Sequence, residues 1–306
     1  SIADLEASLN ASGWTFPPAP TWTAATVGGI VATNAAGPAT FKHGVTRDWV
    51  AGLTVVLPGG DVLDAVRGKV VASPAGLLEL ATPDRLVTLH IPSLAWPDVP
   101  KRSAGYALAE GMDLVDLFVG AEGTLGVVTE VSLRVARRTA ARVRAMVPCA
   151  SEAAALALVA RLRADSHETW RTQDPDGIDV SAIEHLDARS LAIVREDGVD
   201  RRQHLALPAS ATVLLLVDLD LPASLTRDAA WAQVEEALDE SSADGPLVRF
   251  CRLAAEQGLL DDVELALPGD TARFVQMDAV REAVPSGVNA RVAAARALFG
   301  AGVKKT

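Results

Sequence analysis

The sequence predicts an α+β protein of about two domains, and three observations carry that prediction. Up to about residue 137 the chain alternates Gly/Pro-rich turns with short runs of β-type residues. Beyond Arg137-Arg138 the composition shifts toward Ala, Leu, Glu and Arg, and apolar residues recur with helical spacing. Within that second part, apolar runs of strand length stand between the amphipathic stretches, the pattern of an open sheet with helices on one face. The boundaries implied are 1–137 and 138–306, and a length of 306 residues suits two domains of roughly 100–200 residues each.

The elements follow from the residues in order. Leu53, Val55 and Leu57 lead into Pro58-Gly59-Gly60-Asp61 and back through Val62-Leu63, which predicts a strand, a tight turn and a returning strand. Asp113 stands before Leu114-Val115-Asp116-Leu117-Phe118 as the cap of a short helix that ends at Gly120. Val127, Thr129, Val131, Leu133 and Val135 then fall on one face of a period-two run, with Glu130, Ser132 and Arg134 on the other. In the second part, Ser151 caps a predicted helix over Glu152 to Arg163. Ser224 caps another to about Leu238, with Leu225, Val234 and Leu238 inward. Val213 to Leu219 and Leu247 to Leu253 read as strands.

Composition narrows the function. A formal net charge of -11 is the wrong sign for a phosphate-binding surface, and no Lys/Arg-rich run interleaves with aromatics, so nucleic acid is not an expected partner. Cys149 and Cys251 have no CxxC spacing and no His at ligand spacing, as expected of buried thiols in a reducing compartment. His90 and His204 have no partner at a useful spacing either, so no metal site is predicted. No window approaches a membrane span, and Ser1-Ile2-Ala3-Asp4-Leu5-Glu6 lacks the basic start and apolar centre of a signal peptide. The expectation is a cytoplasmic protein.

Two segments carry chemistry. The first is Thr26-Val27-Gly28-Gly29-Ile30-Val31-Ala32-Thr33-Asn34-Ala35-Ala36-Gly37, whose small residues leave backbone N–H groups uncovered for a ligand with phosphates or a flat ring. On composition alone it reads as a glycine-rich turn between two strands. The second is Gly120-Ala121-Glu122-Gly123-Thr124-Leu125-Gly126-Val127-Val128-Thr129-Glu130. It follows a predicted helix and opens a predicted strand, the reverse of a Rossmann phosphate loop, so a Rossmann site is excluded.

Together, in this order and at this separation, the two segments resemble the FAD-binding domain of the vanillyl-alcohol oxidase and p-cresol methylhydroxylase (PCMH-type) flavoproteins. The run from Ala25 to Gly60, with Gly44, Arg47-Asp48 and Val55-Val56-Leu57-Pro58, is similar to the second half of that domain, and Asp113 to Val135 to its closing stretch. Residues 151–306, notably Ile183-Glu184-His185-Leu186-Asp187 and Arg281-Glu282-Ala283-Val284-Pro285, resemble the C-terminal substrate (cap) domain of the FAD-linked D-lactate and glycolate oxidase group. The resemblance implies part of a PCMH-type FAD-binding domain at 1–137 and part of an α+β cap domain at 138–306.

It also implies roles. Thr26, Val27, Gly28, Gly29, Thr33, Asn34, Ala35, Ala36 and Gly37 would line the pyrophosphate and flavin ring of FAD, with Gly44 allowing close passage. Glu122, Gly123, Gly126, Val127 and Val128 would lie near the dinucleotide. Lys101 and Tyr106 would stand near flavin and substrate, the lysine holding a carboxylate through charge-assisted hydrogen bonds. His43 is expected to pack at the surface or the flavin edge, Arg47-Asp48 to form an ion pair that orders its loop, and His185, read in a helix-like run beside Glu184, to be structural. Relatives carry an N-terminal glycine-rich subdomain and a C-terminal His-x-His-type cluster that this sequence lacks, so it reads as the middle of an enzyme. The implied reaction is oxidation of a small 2-hydroxy acid to the 2-oxo acid by hydride transfer to the flavin, with the proton acceptor outside this chain. The alternatives are an alkyl-ether-lipid-synthase-like flavoenzyme and a non-catalytic fragment or scaffold of a redox complex.

Overall fold

A computed structural model describes residues 1–82, 85–92, 94, 99, 105–139, 141–238, 244–300 and 302, and the chain divides into two units, Ser1–Arg138 and Thr139–Thr306.

The first unit opens with α1 (Ile2–Asn10), started by a reciprocal capping box between Ser1 and Asp4. The short strand β1 (Trp14–Thr15) pairs with β7 (Ala136–Arg137), and the Arg137 guanidinium lies 4.2 Å over the Trp14 ring, so both ends of the unit are tied together. Between them come the short helices α2 (Val27–Ala32), α3 (Thr40–His43) and α4 (Thr46–Trp49), the strands β2 (Val50–Val56), β3 (Val62–Val66), β4 (Leu77–Ala81) and β5 (Leu86–His90), then α5 (Leu114–Phe118) and β6 (Val127–Leu133).

The sheet has the order β3-β2-β6, all antiparallel. Its β2–β3 hairpin is the one read at Pro58–Asp61: Leu57 N–H donates to Asp61 O at 2.8 Å and Gly60 N–H to Leu57 O at 2.9 Å. Ile30, Val31, Val50, Val55, Val115 and Phe118 meet in one core, so the helices α2 and α5 are anchored on the inner face of β2. The Asp113 cap is present; its carboxylate accepts from Val115 N–H at 2.8 Å and from Gly68 N–H at 2.5 Å.

Two readings in this unit are corrected. The first glycine segment is not a turn between strands; Thr26 accepts the Gly29 N–H at 3.0 Å and starts the helix α2. In β6 a bulge intervenes, since Thr54 pairs with Glu130 but Val55 with Val128, leaving Thr129 as the extra residue. Side chains therefore change face at Thr129: Val131 and Leu133 point inward as expected, while Val128 rather than Val127 does so on the other side of the bulge.

The second unit has a four-stranded antiparallel sheet, order β11-β8-β10-β9, from β8 (Ala141–Cys149), β9 (Val180–Leu186), β10 (Val213–Leu221) and β11 (Glu264–Ala266). Its helices are α6 (Glu152–Thr172), α7 (Ala188–Asp197), α8 (Val199–Arg202), α9 (Arg227–Leu238), α10 (Pro246–Glu256) and α11 (Thr271–Phe299). All nine residues of β10 are buried, which requires cover on both faces, so the expectation of helices on one face is corrected. Met146, Leu214 and Leu216 pack with Leu191 and Val194 of α7 and Met277 and Val280 of α11. Leu215 and Val217 alternate to the opposite face, under α6.

Further corrections follow from periodicity read over too short a window. Leu247 to Leu253 is helix α10: residues 247, 248, 250, 251, 253 and 254 are buried, with Arg249 and Arg252 between them, and Pro246 occupies the first turn, where its missing N–H costs nothing. The helix begun at Ser151 runs to Thr172 rather than Arg163. Helix α9 starts at Arg227, after Ala229 N–H donates to Thr226 Oγ1, so Thr226 and not Ser224 serves its first turn; Ala230 is buried, Leu225 and Val234 are half-buried, and the Leu238 side chain lies outside those described.

One buried polar feature interrupts the apolar layer. Arg144 on β8 makes a bidentate pair with Asp218 on β10, Nε to Oδ1 at 2.6 Å and Nη2 to Oδ2 at 2.9 Å, and a further bond to Asp278 on α11. Burial alone would lower the arginine's pKa, but the hydrogen bonds and charges of Asp218 and Asp278 outweigh it and hold the pKa above its ordinary value.

Candidate functional site

In the first unit the two glycine segments, nearly ninety residues apart in the chain, are joined main chain to main chain. Gly120 N–H donates to Val31 O at 2.9 Å and Glu122 N–H donates to Ala32 O at 2.9 Å. The exit of α2 and the entry to β6 therefore run side by side. Thr26 caps α2; Val27, Gly28 and Gly29 form its first turn; Thr33 ends it, its hydroxyl donating to Gly29 O at 2.9 Å. Asn34 is fully buried and left-handed, with φ 46°, and its Oδ1 accepts the Arg47 N–H at 2.9 Å. Ala35 O accepts both Thr46 N–H and Thr46 Oγ1–H. Ala36 is half-buried beside them. Glu122 and Gly123 are exposed in the following loop, Val127 is exposed on β6 and Val128 half-buried.

The glycines of the two segments divide by what demands them. A Cβ on Gly37 would lie 2.0 Å from Ala19 O, and one on Gly126 would lie 2.7 Å from both Val55 Cγ1 and Val56 O, so those two are fixed by the fold itself. Gly44, with φ 73°, faces the Asp48 carboxylate, which accounts for it without any ligand. A Cβ on Gly29 would lie 3.0 Å from Thr26 Oγ1, and Gly123 carries a left-handed φ. Gly28 is different: its φ is ordinary, it lies in a helical first turn, and nothing stands within 4 Å of where its Cβ would be. The fold gives no reason for glycine there, where alanine would be favoured by roughly 0.5–1 kcal/mol. Glycine there leaves the first turn of α2 without a side chain at that position.

Of the two residues expected near substrate, Tyr106 is brought to the second segment: its hydroxyl lies 2.7 Å from Thr124 Oγ1. The Thr124 hydroxyl donates to Ala121 O at 2.5 Å, so the shared proton comes from the tyrosine, whose oxygen keeps its lone pairs as acceptors. Lys101 lies outside the described residues. Thr124 had no role assigned from sequence; the signal available was a lone hydroxyl among small residues.

Other expectations are revised. Arg47 pairs with Asp116, 3.7 Å away, and not with Asp48, whose carboxylate instead accepts the Val45 N–H at 2.9 Å. Burial lowers the Arg47 pKa from its ordinary value, with the Asp116 charge opposing. The His43 ring packs edge-on to Trp49 at 6.1 Å, and the Trp49 indole donates to His43 O at 2.7 Å, a packing role within the unit. His185 lies on strand β9, not in a helix; it faces Glu152 at 3.0 Å while Glu184 faces Arg281 at 3.1 Å. Strand alternation turns the two apart, so they form no acid–base pair. Among the described residues no group of three or more His, Cys, Asp or Glu could hold a metal ion, and no helix is long and apolar enough to cross a membrane.

Residues 1–65 match the FAD binding domain family, which extends the resemblance to α1 and the turn before Ala25. A D-lactate dehydrogenase of Anaerostipes hadrus is 36% identical over 44% of this chain and 21% of its own length. The glycolate oxidase subunit GlcD of Bacillus subtilis (strain 168) is 28% identical over 72% of this chain and 36% of its own. A solved alkyldihydroxyacetonephosphate synthase superposes with a TM-score of 0.51 and 14% identity, covering 94% of this chain and 44% of that one, a likeness of fold alone. This chain thus spans 21% and 36% of the length of these two curated relatives.

The class these findings support is that of FAD-binding proteins, from the family match over residues 1–65, and the cofactor they support is FAD. Within that class it is a relative of the FAD-linked oxidoreductases that include D-lactate dehydrogenase and glycolate oxidase.

Proposed function

We propose that this chain is part of an enzyme that oxidises a small 2-hydroxy acid, of the D-lactate or glycolate kind, to the 2-oxo acid. The observation that carries the reading is the bare backbone at Gly28, next to two glycine segments locked together, in a chain whose relatives are hydroxy-acid dehydrogenases. The residues present fit FAD. Val27 and Gly28 are first-turn residues whose N–H groups precede any intrahelical acceptor, so Thr26 to Gly29 would face the pyrophosphate and Thr33 to Gly37 the ring. Glu122, Gly123 and the strand start at Val127-Val128 would follow the dinucleotide.

FAD, when bound, supplies the acceptor for the hydride of the carbinol carbon. The chain's part is positioning. Tyr106, held by Thr124, would offer an oxygen acceptor toward the substrate, and Lys101 would hold the substrate carboxylate by a charge-assisted bond. The substrate's hydroxyl proton would go to a base outside the residues named. The compartment expected from the sequence is the cytoplasm.

The test uses the full chain, incubated with excess FAD and desalted, then titrated anaerobically with D-lactate, glycolate or D-2-hydroxyglutarate. Retained flavin whose absorbance shifts on addition of one of these acids is the expected result. Flavin retention with no shift by any of them would remove the substrate assignment, and a colourless protein would remove the cofactor-holding role of these residues.

A further inference from the structure

We propose that Arg47 is a positioning residue for the cofactor, a clamp that fixes the first glycine segment against the second without touching the ligand. The inference rests on the FAD reading above and deepens it. Arg47 begins in α4 and bonds in two directions. Its backbone N–H donates to Asn34 Oδ1 at 2.9 Å, holding the residue of the first segment that follows the C-cap of α2. Its guanidinium reaches across to the end of α5, Nη1 donating to Asp116 O and Nη2 to Val119 O, each at 2.5 Å. Asp116 O belongs to the last turn of α5 and Val119 O to its C-cap residue, where no intrahelical N–H remains to satisfy them, and a cation there also meets the negative end of the helix.

The second glycine segment starts at the next residue. Gly120 lies between the two partners: a Cβ built on it would come 3.3 Å from Asn34 Cβ and 3.2 Å from Arg47 Nη2. The main-chain bonds from Gly120 and Glu122 to Val31 and Ala32 therefore form directly beside the clamp. Arg67 holds the clamp in turn, its Nη2 donating to Arg47 O and to Asp116 Oδ1, both at 3.0 Å, and its Nε to Val50 O at 2.8 Å. With a side chain only 15% exposed, Arg47 is committed to the protein on all sides shown, so its effect on a ligand passes through the two loops.

The test is Arg47→Met in the full chain, with Arg47→Lys as the milder variant and Leu80→Ala, a core truncation on β4, as a control for general loss of stability. Amide exchange is followed at residues 118–124 without flavin, and FAD affinity is titrated below each variant's unfolding range. The clamp predicts faster exchange at Gly120 and Glu122 and FAD affinity weakened about tenfold or more in Arg47→Met. Arg47→Lys, able to donate to one carbonyl, falls between, and Leu80→Ala leaves both readouts as they were. Unchanged exchange at Gly120 and Glu122 overturns the proposal whether or not flavin binds. So does faster exchange with undiminished affinity. A wild-type chain that retains no flavin sinks the cofactor reading instead, and the exchange data still decide whether Arg47 joins the loops.

Discussion

The two units achieve order by different means. In residues 1–138 the helices that line the candidate site are four to six residues long, and the long-range polar bonds run largely to main chain: Gly120 to Val31, Arg47 to Asp116 and Val119, Arg67 to Val50. In residues 139–306 the elements are long, with 21 residues in α6 and 29 in α11, and order comes from side chains packed on both faces of a sheet. A region held together through its backbone can leave backbone bare at a surface, as at Gly28; one held through side chains cannot. On the proposed function, that difference separates the region that would receive a ligand's phosphates from one that supplies side-chain surface.

The sharpest way to break the comparison is to attack each unit by the other's logic. Arg144→Met, in the side-chain-built unit, leaves the buried Asp218 without its bidentate partner and with only the longer Arg142 pair at 3.6 Å, and should cost about 3 kcal/mol in urea unfolding. The double variant Arg144→Met/Asp218→Leu should regain most of that loss, because an apolar pair of similar volume needs no compensation. In the backbone-built unit the matching injury is a single methyl. Gly37→Ala places a Cβ on Ala19 O and should cost about 3 kcal/mol, the upper range for overpacking, although no side-chain contact is removed.

Smaller effects sharpen the same contrast. Asp113 caps α5 and also accepts from Gly68, far away in the chain, so Asp113→Ala should cost about 2 kcal/mol. Ser151 caps α6 locally, through Ala154 alone at 3.2 Å, and Ser151→Ala should cost about 1 kcal/mol or less by thermal unfolding. The smallest expected signal is chemical. Burial pushes the Cys149 and Cys251 thiols up to about 11, so neither should react with an aromatic disulfide at about pH 8 until the chain unfolds. Rapid reaction of the native chain would contradict the burial of both.

What could be read from sequence also differs between the units. The hairpin at Pro58–Asp61 and the Asp113 cap were legible because turn and cap chemistry is local. The two glycine segments were legible as a pair through their likeness to a flavoprotein family. That Thr26 starts a helix was hidden by the glycines, which suggest a turn until the cap bond to Gly29 is seen. The Arg47–Asp116 pair was hidden because adjacent opposite charges, Arg47 and Asp48, suggest each other, while the actual partner is distant in the chain. In the second unit, Leu247 to Leu253 was misread as a strand because a seven-residue apolar run fits either period; only the arginines at 249 and 252 mark the helix. The all-buried β10 required the structure, since covering both faces is a property of the helices around it.

The measurement that tests the central claim most directly is FAD affinity of Gly28→Ala beside its thermal stability. The added methyl meets nothing in the protein and suits a helix, so the unfolding midpoint should hold or rise, by an amount worth roughly 0.5–1 kcal/mol. FAD affinity should fall by about tenfold or more, because the methyl occupies the surface the ligand approaches. A stable Gly28→Ala chain that binds FAD as tightly as the unsubstituted one would contradict the account.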